Sequence, residues 1–278
     1  MPYLESQLVT QDGLRLRTQT WKPHDDCRAV LALTHGHGEH SGRYNHVGQR
    51  LSAAGYALYA YDLRGHGKSG GPRGHIPSYA TLLDDLQLIL DQARQENPGK
   101  KRFLYGHSLG GQITLNFALS RQIDVSGVIV SAPWLRLVYQ PPPWKVFLAQ
   151  ALPNIWPTLT MSTELDTAVK MSHDEAHLNS LPDLNLTHAF MSARLGGSAL
   201  EWAGYALTHA SEFTLPLLIL HGEADGVIGI GGSEQFCAQA RSTDKTLKRY
   251  AGLYHEVHNE TEREKVFQDM LDWLDQRA

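Results

Sequence analysis

Cysteine is almost missing from this chain. Its 278 residues include two, Cys27 and Cys237, far apart. That excludes a disulfide scaffold and a C-x-x-C metal pair, and it fits a reducing, cytoplasmic compartment. Long apolar runs are missing too, none approaching the roughly eighteen residues that a membrane span needs. The opening "MPYLESQLVTQDG" lacks a basic stretch followed by an apolar one, so no signal peptide is expected. Positive charge is scarce: 25 Lys and Arg stand against 29 Asp and Glu, for a net charge of −4. No basic face is present, so nucleic acid is not an expected partner. The runs "RQENPGKKR" (94–102) and "DKTLKR" (244–249) are short and mixed in sign, and read as solvated loops. Internal repeats and low-complexity segments are also absent. Hydrophobic residues make up 42% and charged residues 19%, enough apolar content for a packed core. The length suits one large domain, or one domain with a sizeable insertion.

The apolar residues fall in short blocks. Residues 4–10 and 14–21 alternate around Gln11-Asp12-Gly13, which predicts a β-hairpin. "AVLALTHG" (29–36), "YALYAYDLRGHG" (56–67), "RFLYGHS" (102–108), "VSGVIVSAP" (125–133) and "LPLLILHGEAD" (215–225) are near-continuous apolar runs, the mark of strands covered on both faces. "TLKRYAG" (246–252) is a weaker final strand. Leu82, Leu83, Leu86, Leu90 and Ala93 share one face of a helix over 79–96. A second helix is expected over 262–275, with Thr261 and Glu264 as its capping box. Strands alternating with helices predict a mostly parallel sheet, helices on both faces. Residues 134–212 break the rhythm. They hold Pro141, Pro142, Pro143, Pro153, Pro157, Pro182, Gly196 and Gly197 and no strand of the buried type. This reads as an insertion of short helical pieces packed over the end of the sheet, between core segments 1–133 and 213–278.

"GHSLGG" (106–111) sits between a strand and a helix. Glycine weakens both elements, so three of them around one serine point to a backbone requirement. G-x-S-x-G in that context is a nucleophile elbow, which stands Ser108 clear at the carboxyl end of the sheet. A serine needs a base, and the elbow architecture predicts an acid and then a histidine after later strands. Asp225 follows one strand and His255 the next, with Glu223 and His258 as their rivals. Asp225 would orient the imidazole, and His255 would move the serine proton. The amide of Leu109, at the helix start, and that of His37, in the loop "HGHGEHSGRY" (35–44), are the expected oxyanion donors.

The same loop reads as H-x-H-x-E-H, close to the H-x-H-x-D-H zinc motif of metallo-β-lactamase-like hydrolases. That motif has aspartate where Glu39 stands and belongs to antiparallel sheets. It also leaves "GHSLGG", Asp225 and His255 unexplained. No metal is expected.

At "HGHGEHSGRY", "DLRGHGKSGGPRGH" (62–75), "GHSLGG", "HGEADGVI" (221–228) and "YHEVHNE" (254–260) the chain resembles the monoacylglycerol lipases of the α/β-hydrolase fold. The likeness runs from about residue 3 to the end and is weakest over 134–212. It implies an eight-stranded, mostly parallel sheet with helices on both faces and a mainly helical cap. It implies hydrolysis of a monoacylglycerol to fatty acid and glycerol, without cofactor or metal, by Ser108, Asp225 and His255. His37 and Leu109 would form the oxyanion hole. Glu39, Arg43 and His258 would shape a polar pocket for the glycerol end, although Glu39 and Arg43, four apart, also suit a plain ion pair. The cap would hold the acyl chain and touch membranes, a role that suits "PPPWKVFLAQALPNIW" (141–156). Two features depart from the family. "LNSLPDLNLTH" (178–188) lacks the family's cap tyrosine, and His37 replaces a smaller residue. A lysophospholipase or broad carboxylesterase with the same triad is the nearest alternative. A catalytically idle hydrolase fold used for binding is another.

Overall fold

A computed structural model of the chain describes residues 3–139, 151–153, 155–163 and 171–278. Strands β1 (Leu4–Val9) and β2 (Arg15–Trp21) form the expected antiparallel hairpin. They are followed by β3 (Ala29–Thr34), β4 (Tyr56–Tyr61), β5 (Lys101–His107) and β6 (Gly127–Ser131). Next come two short strands, β7 (Thr160–Ser162) and β8 (Phe190–Ser192), and then β9 (Leu217–Gly222) and β10 (Lys245–Tyr250). The main sheet has eight strands in the order β1-β2-β4-β3-β5-β6-β9-β10. The strands from β4 to β10 in that order are parallel. The chain has the α/β-hydrolase fold.

Period-two geometry explains the unbroken apolar runs. Ala29, Leu31 and Leu33 of β3 enter one buried cluster, and Val30 and Ala32 enter the other. The first cluster is covered by helices α1 (Asn45–Ala53) and α7 (Arg263–Asp275), through Val47, Leu51, Val266, Phe267 and Met270. The second is covered by α2 (Tyr79–Glu96), α3 (Leu109–Ser120) and α6 (Ile230–Gln239). Along α2 the five predicted apolar positions are all buried, and the Ser78 side chain caps its first turn.

Two local expectations need correction, and the strands found within 134–212 are, as expected, not of the buried type. The capping box of α7 does not form: Glu262 is the N-cap, no side chain caps it, and Glu264 turns outward to Arg50 at 3.4 Å. Within 134–212, β7 and β8 pair antiparallel with each other. Gly196 and Gly197 do not break a helix; they lie inside the sixteen-residue α5 (Ala193–Thr208), which follows the short α4 (Glu175–Ser180). The buried face of α5 is built from small residues, Gly197, Ala199, Ala203 and Ala206, so its backbone approaches α3. Gln112 Nε2 donates to Ala199 O at 2.8 Å, Asn116 Nδ2 donates to Trp202 O at 3.1 Å, and Trp202 stacks on Tyr79 at 4.4 Å. Most of the apolar stretch 141–156 lies outside the described residues; of it, Ile155 and Trp156 are exposed.

Candidate active site

Ser108 has φ 52° and ψ −117°, a conformation that a non-glycine residue holds only when its surroundings enforce it. Its amide donates to Ser131 O at 2.9 Å, and its carbonyl accepts from Gln112 N at 3.0 Å and Trp134 N at 2.9 Å. Those bonds pin the turn between β5, β6 and α3. The flanking glycines answer to space. A Cβ on Gly106 would stand 2.4 Å from Gly110 O, and one on Gly110 only 2.1 Å from Thr34 O. Two strands and a helix meet here closer than any side chain allows.

His255 Nε2 lies 3.0 Å from Ser108 Oγ, and His255 Nδ1 lies 2.7 Å from Asp225 Oδ2. A carboxylate only accepts, so Nδ1 carries the proton and Nε2 offers its lone pair to the serine hydroxyl. Asp225 Oδ1 accepts from the amides of Val227 (2.8 Å) and Ile228 (2.9 Å), which lock the carboxylate. Burial opposes the charge on Asp225. His255, a hydrogen bond from His221 and the Ile228 amide outweigh it and hold the carboxyl far below the usual range. Burial likewise disfavours charge on His255, yet the Asp225 carboxylate, with Glu256 and Glu39, raises its pKa above the ordinary histidine value. The hydrogen-bonded set at Ser108 contains Asp225 rather than Glu223, and His255 rather than His258.

The amides of Leu109 and His37 carry no hydrogen bond to any described residue. Leu109 is the first residue of α3, where the helix dipole favours negative charge. The His37 loop is clamped from several sides. His35 Nδ1 donates to Gly36 O at 2.7 Å, and its Nε2 accepts from Leu63 N at 2.9 Å, so this ring is neutral. His66 Nε2 faces His37 Nδ1 at 3.4 Å, and the backbone amide of His188, from the insertion, donates to Gly38 O at 2.8 Å. Burial, with the neighbouring imidazoles, pushes the His37 pKa down to about 3. His35, Gly38 and His37 Nδ1 of "HGHGEH" thus each meet a partner, while His37 Nε2 and His40 Nε2 are buried with none among the described residues. Among the described residues, no group of three or more His, Cys, Asp or Glu side chains is arranged to hold a metal ion.

Ser108 and His255 open into a cavity of about 420 Å³. One end is ionic. Arg43 Nη2 donates to both oxygens of Glu256, at 2.9 and 2.7 Å, and Arg43 Nε donates to Glu39 Oε2 at 3.2 Å. Glu39 Oε1 accepts from Tyr44 OH at 2.8 Å and from the Gly36 amide. The point where a Gly36 side chain would begin is 2.8 Å from Glu39 Oε1 and 3.1 Å from Ser108 Cβ, so this network adjoins the serine. The remaining walls include Trp134, Leu137, Met171, Leu178, Val227 and Ile228. Leu178, Leu184 and His188 bring the segment 178–188 into the wall.

His258 needs correction as a pocket residue. It is fully buried behind the cavity, stacked on Tyr44 at 4.9 Å, and is not among the lining residues. Glu256, two positions earlier, takes its place. Sequence reasoning passed over Glu256; its position beside His255 was the only available signal.

The hydrolase family described as "Serine aminopeptidase, S33" matches residues 25–262. A monoacylglycerol lipase of Mycolicibacterium smegmatis is 33% identical over 94% of this chain and 93% of its own. The chain belongs to the monoacylglycerol lipase family. Among solved structures, the family member from Paleococcus ferrophilus superposes with a TM-score of 0.84 at 31% identity, covering 100% of both chains. A soluble variant of the Saccharomyces cerevisiae monoglyceride lipase, in complex with a substrate analog, gives 0.89 at 26% identity, over 100% of this chain and 96% of that one. A longer relative also shares the family core: this chain spans 29% of an abhydrolase domain-containing protein of Dictyostelium discoideum, at 35% identity.

Proposed function

We propose that this protein hydrolyses monoacylglycerols, releasing fatty acid and glycerol through an acyl-enzyme on Ser108. One observation carries the reading: the Ser108–His255–Asp225 relay opens into a cavity with an ionic end and, beyond it, a mixed wall in which Trp134, Leu137, Met171, Leu178, Val227 and Ile228 offer an apolar surface. A single acyl chain with a small polar head has that division. His255 takes the Ser108 proton as the hydroxyl attacks the ester carbonyl, then returns it to the leaving glycerol oxygen. The free amides of His37 and Leu109 hold the oxyanion, a contribution of about 3–4 kcal/mol per donor in comparable sites. Water then enters, His255 serves as base again, and the acyl group leaves as fatty acid. Glu39 and Arg43 border the glycerol end. Residues 134–212 act as the cap between core segments 1–133 and 213–278.

The cap also contacts the lipid surface. Ile155, Trp156 and Met161, close in the chain, and Phe190, which pairs with Ser162 beside Met161 across β7 and β8, are all at least half exposed. Among the described residues, no helix is long and apolar enough to cross a membrane. Flotation with neutral vesicles tests this contact: wild type rises with the vesicles, and a Trp156→Ser, Phe190→Ser variant stays behind. Wild type remaining wholly unbound would remove it.

The substrate reading is tested by fatty-acid release from a long-chain monoacylglycerol, the matching diacylglycerol and a lysophospholipid. The monoacylglycerol should be cleaved with the highest kcat/KM. Preference for the lysophospholipid would keep the mechanism and overturn the head-group reading.

A further inference from the structure

Glu256 changes the charge of the pocket. Arg43 is the only Lys or Arg among the described lining residues, and two carboxylates, Glu39 and Glu256, are set against it. The accepting oxygens of Glu39 face an arginine N–H, a tyrosine hydroxyl and a backbone N–H, the surroundings of an ionised carboxylate. Glu256 also accepts from Asn259 Nδ2, at 2.6 Å. Burial, with Glu256 nearby, raises the Glu39 pKa, and Arg43 and the Gly36 and Tyr44 donors oppose that rise; with both carboxylates ionised the trio carries one net negative charge beside Ser108.

Arginine ordinarily recruits phosphate through its fork of parallel N–H groups. Here Glu256 holds Nη2 and Glu39 holds Nε, so that edge is already occupied by carboxylates. Two of the lining imidazoles, His37 and His107, supply no positive charge in compensation. Burial, with its histidine neighbours, keeps His37 neutral, and burial with His255 nearby does the same for His107, each with a pKa near 3. A glycerol head can donate its hydroxyls to the carboxylates. A phosphate head brings up to two negative charges and no donors to match.

We propose that Glu256 makes the polar end of this cavity a charge filter, which admits acyl esters of uncharged alcohols and excludes those with a phosphate-bearing head. The inference rests on the substrate reading above and adds a specificity-determining residue to it. It also supplies a physical reason for a monoacylglycerol lipase rather than a lysophospholipase.

The test compares 1-acylglycerol with 1-acylglycerol 3-phosphate, of the same acyl chain, in uncharged detergent micelles. The readout is the ratio of the two kcat/KM values, because both rates share any loss at Ser108. Their ether analogues, 1-alkylglycerol and its 3-phosphate, bind without reacting, and the ratio of their Kd values reads the filter without turnover. Wild type should favour the neutral lipid in both ratios. Glu256→Gln should shrink each ratio by at least about tenfold, as expected for one charge at short range in a partly buried site. Glu256→Asp, which keeps the charge, should stay within about threefold of wild type by the same reasoning. If Glu256→Gln does not fold by circular dichroism, Glu39→Gln carries the same expectation. Ratios unchanged in a folded charge-neutral variant, or a wild type that does not discriminate, would overturn the filter. A wild type that binds the neutral ether selectively yet fails to cleave 1-acylglycerol would overturn the substrate reading and leave the filter standing.

Discussion

His255 Nε2 meets Ser108 Oγ at 3.0 Å although 147 positions of chain separate them. The sheet closes that gap. β5 delivers Ser108, and the loops after β9 and β10 deliver Asp225 and His255 at the same edge. The relay therefore depends on strand order and loop length.

A general base must be neutral to work, and His255 has a pKa raised above the ordinary value of about 6.5. The rate should fall with decreasing pH through a midpoint above 6.5. Glu256 contributes to that rise, so Glu256→Gln should move the midpoint toward acid. A kcat/KM profile against pH checks both; a midpoint below 6.5 in wild type would contradict the first.

Asp225→Asn keeps the shape of the acid but offers the imidazole an amide that can also donate, so the wrong tautomer becomes available. Turnover should drop by about four orders of magnitude, with KM changed far less. Steady-state kinetics on one monoacylglycerol decides it.

Two glycine substitutions should have opposite signs. Gly110→Ala drives a methyl to 2.1 Å from Thr34 O, a backbone atom that has nowhere to go. Loss of several kcal/mol, or failure to fold, is expected. Gly204→Ala lies in α5, is exposed, and would meet no atom within 4 Å. It should stabilise by about 0.5–1 kcal/mol through helix propensity. Thermal melts of both variants give the comparison.

Adjacent aspartates on α2 offer a further contrast. Asp85 is buried and pairs with Arg64 through two bonds of 2.7 Å. Asp84 is exposed and pairs with Arg121 at 2.7 Å. Asp85→Ala leaves the buried Arg64 with only the half-exposed Asp12, at 2.9 Å, as a partner and should cost about 3 kcal/mol. Asp84→Ala should cost less than about 1 kcal/mol. Urea denaturation curves measure both.

The strands and the relay were legible because their signals are local or ordered. Apolar runs such as "AVLALT" mark a strand covered on both sides, and "GHSLGG" encodes its own steric demand. Asp225 and His255 follow from the order of elements. Glu256 was not legible, since the partner that gives it meaning, Arg43, is 213 positions away. His258 was misplaced because "HEVH" does not tell which histidine faces the cavity and which stacks on Tyr44. Gly196 and Gly197 looked like breaks, yet packing against α3 makes small residues useful inside α5, and tertiary contact overrides propensity. The β7–β8 pair eluded the reading because its strands are three residues long and exposed or half-buried apart from Ser192.

The most direct measurement is fatty-acid release from a long-chain monoacylglycerol by wild type and by Ser108→Ala, with circular dichroism confirming that the variant is folded. The account predicts release by wild type and a loss on the order of a million-fold in the variant. Undiminished release by folded Ser108→Ala would contradict it, and would place the chemistry on some group other than the serine of the elbow.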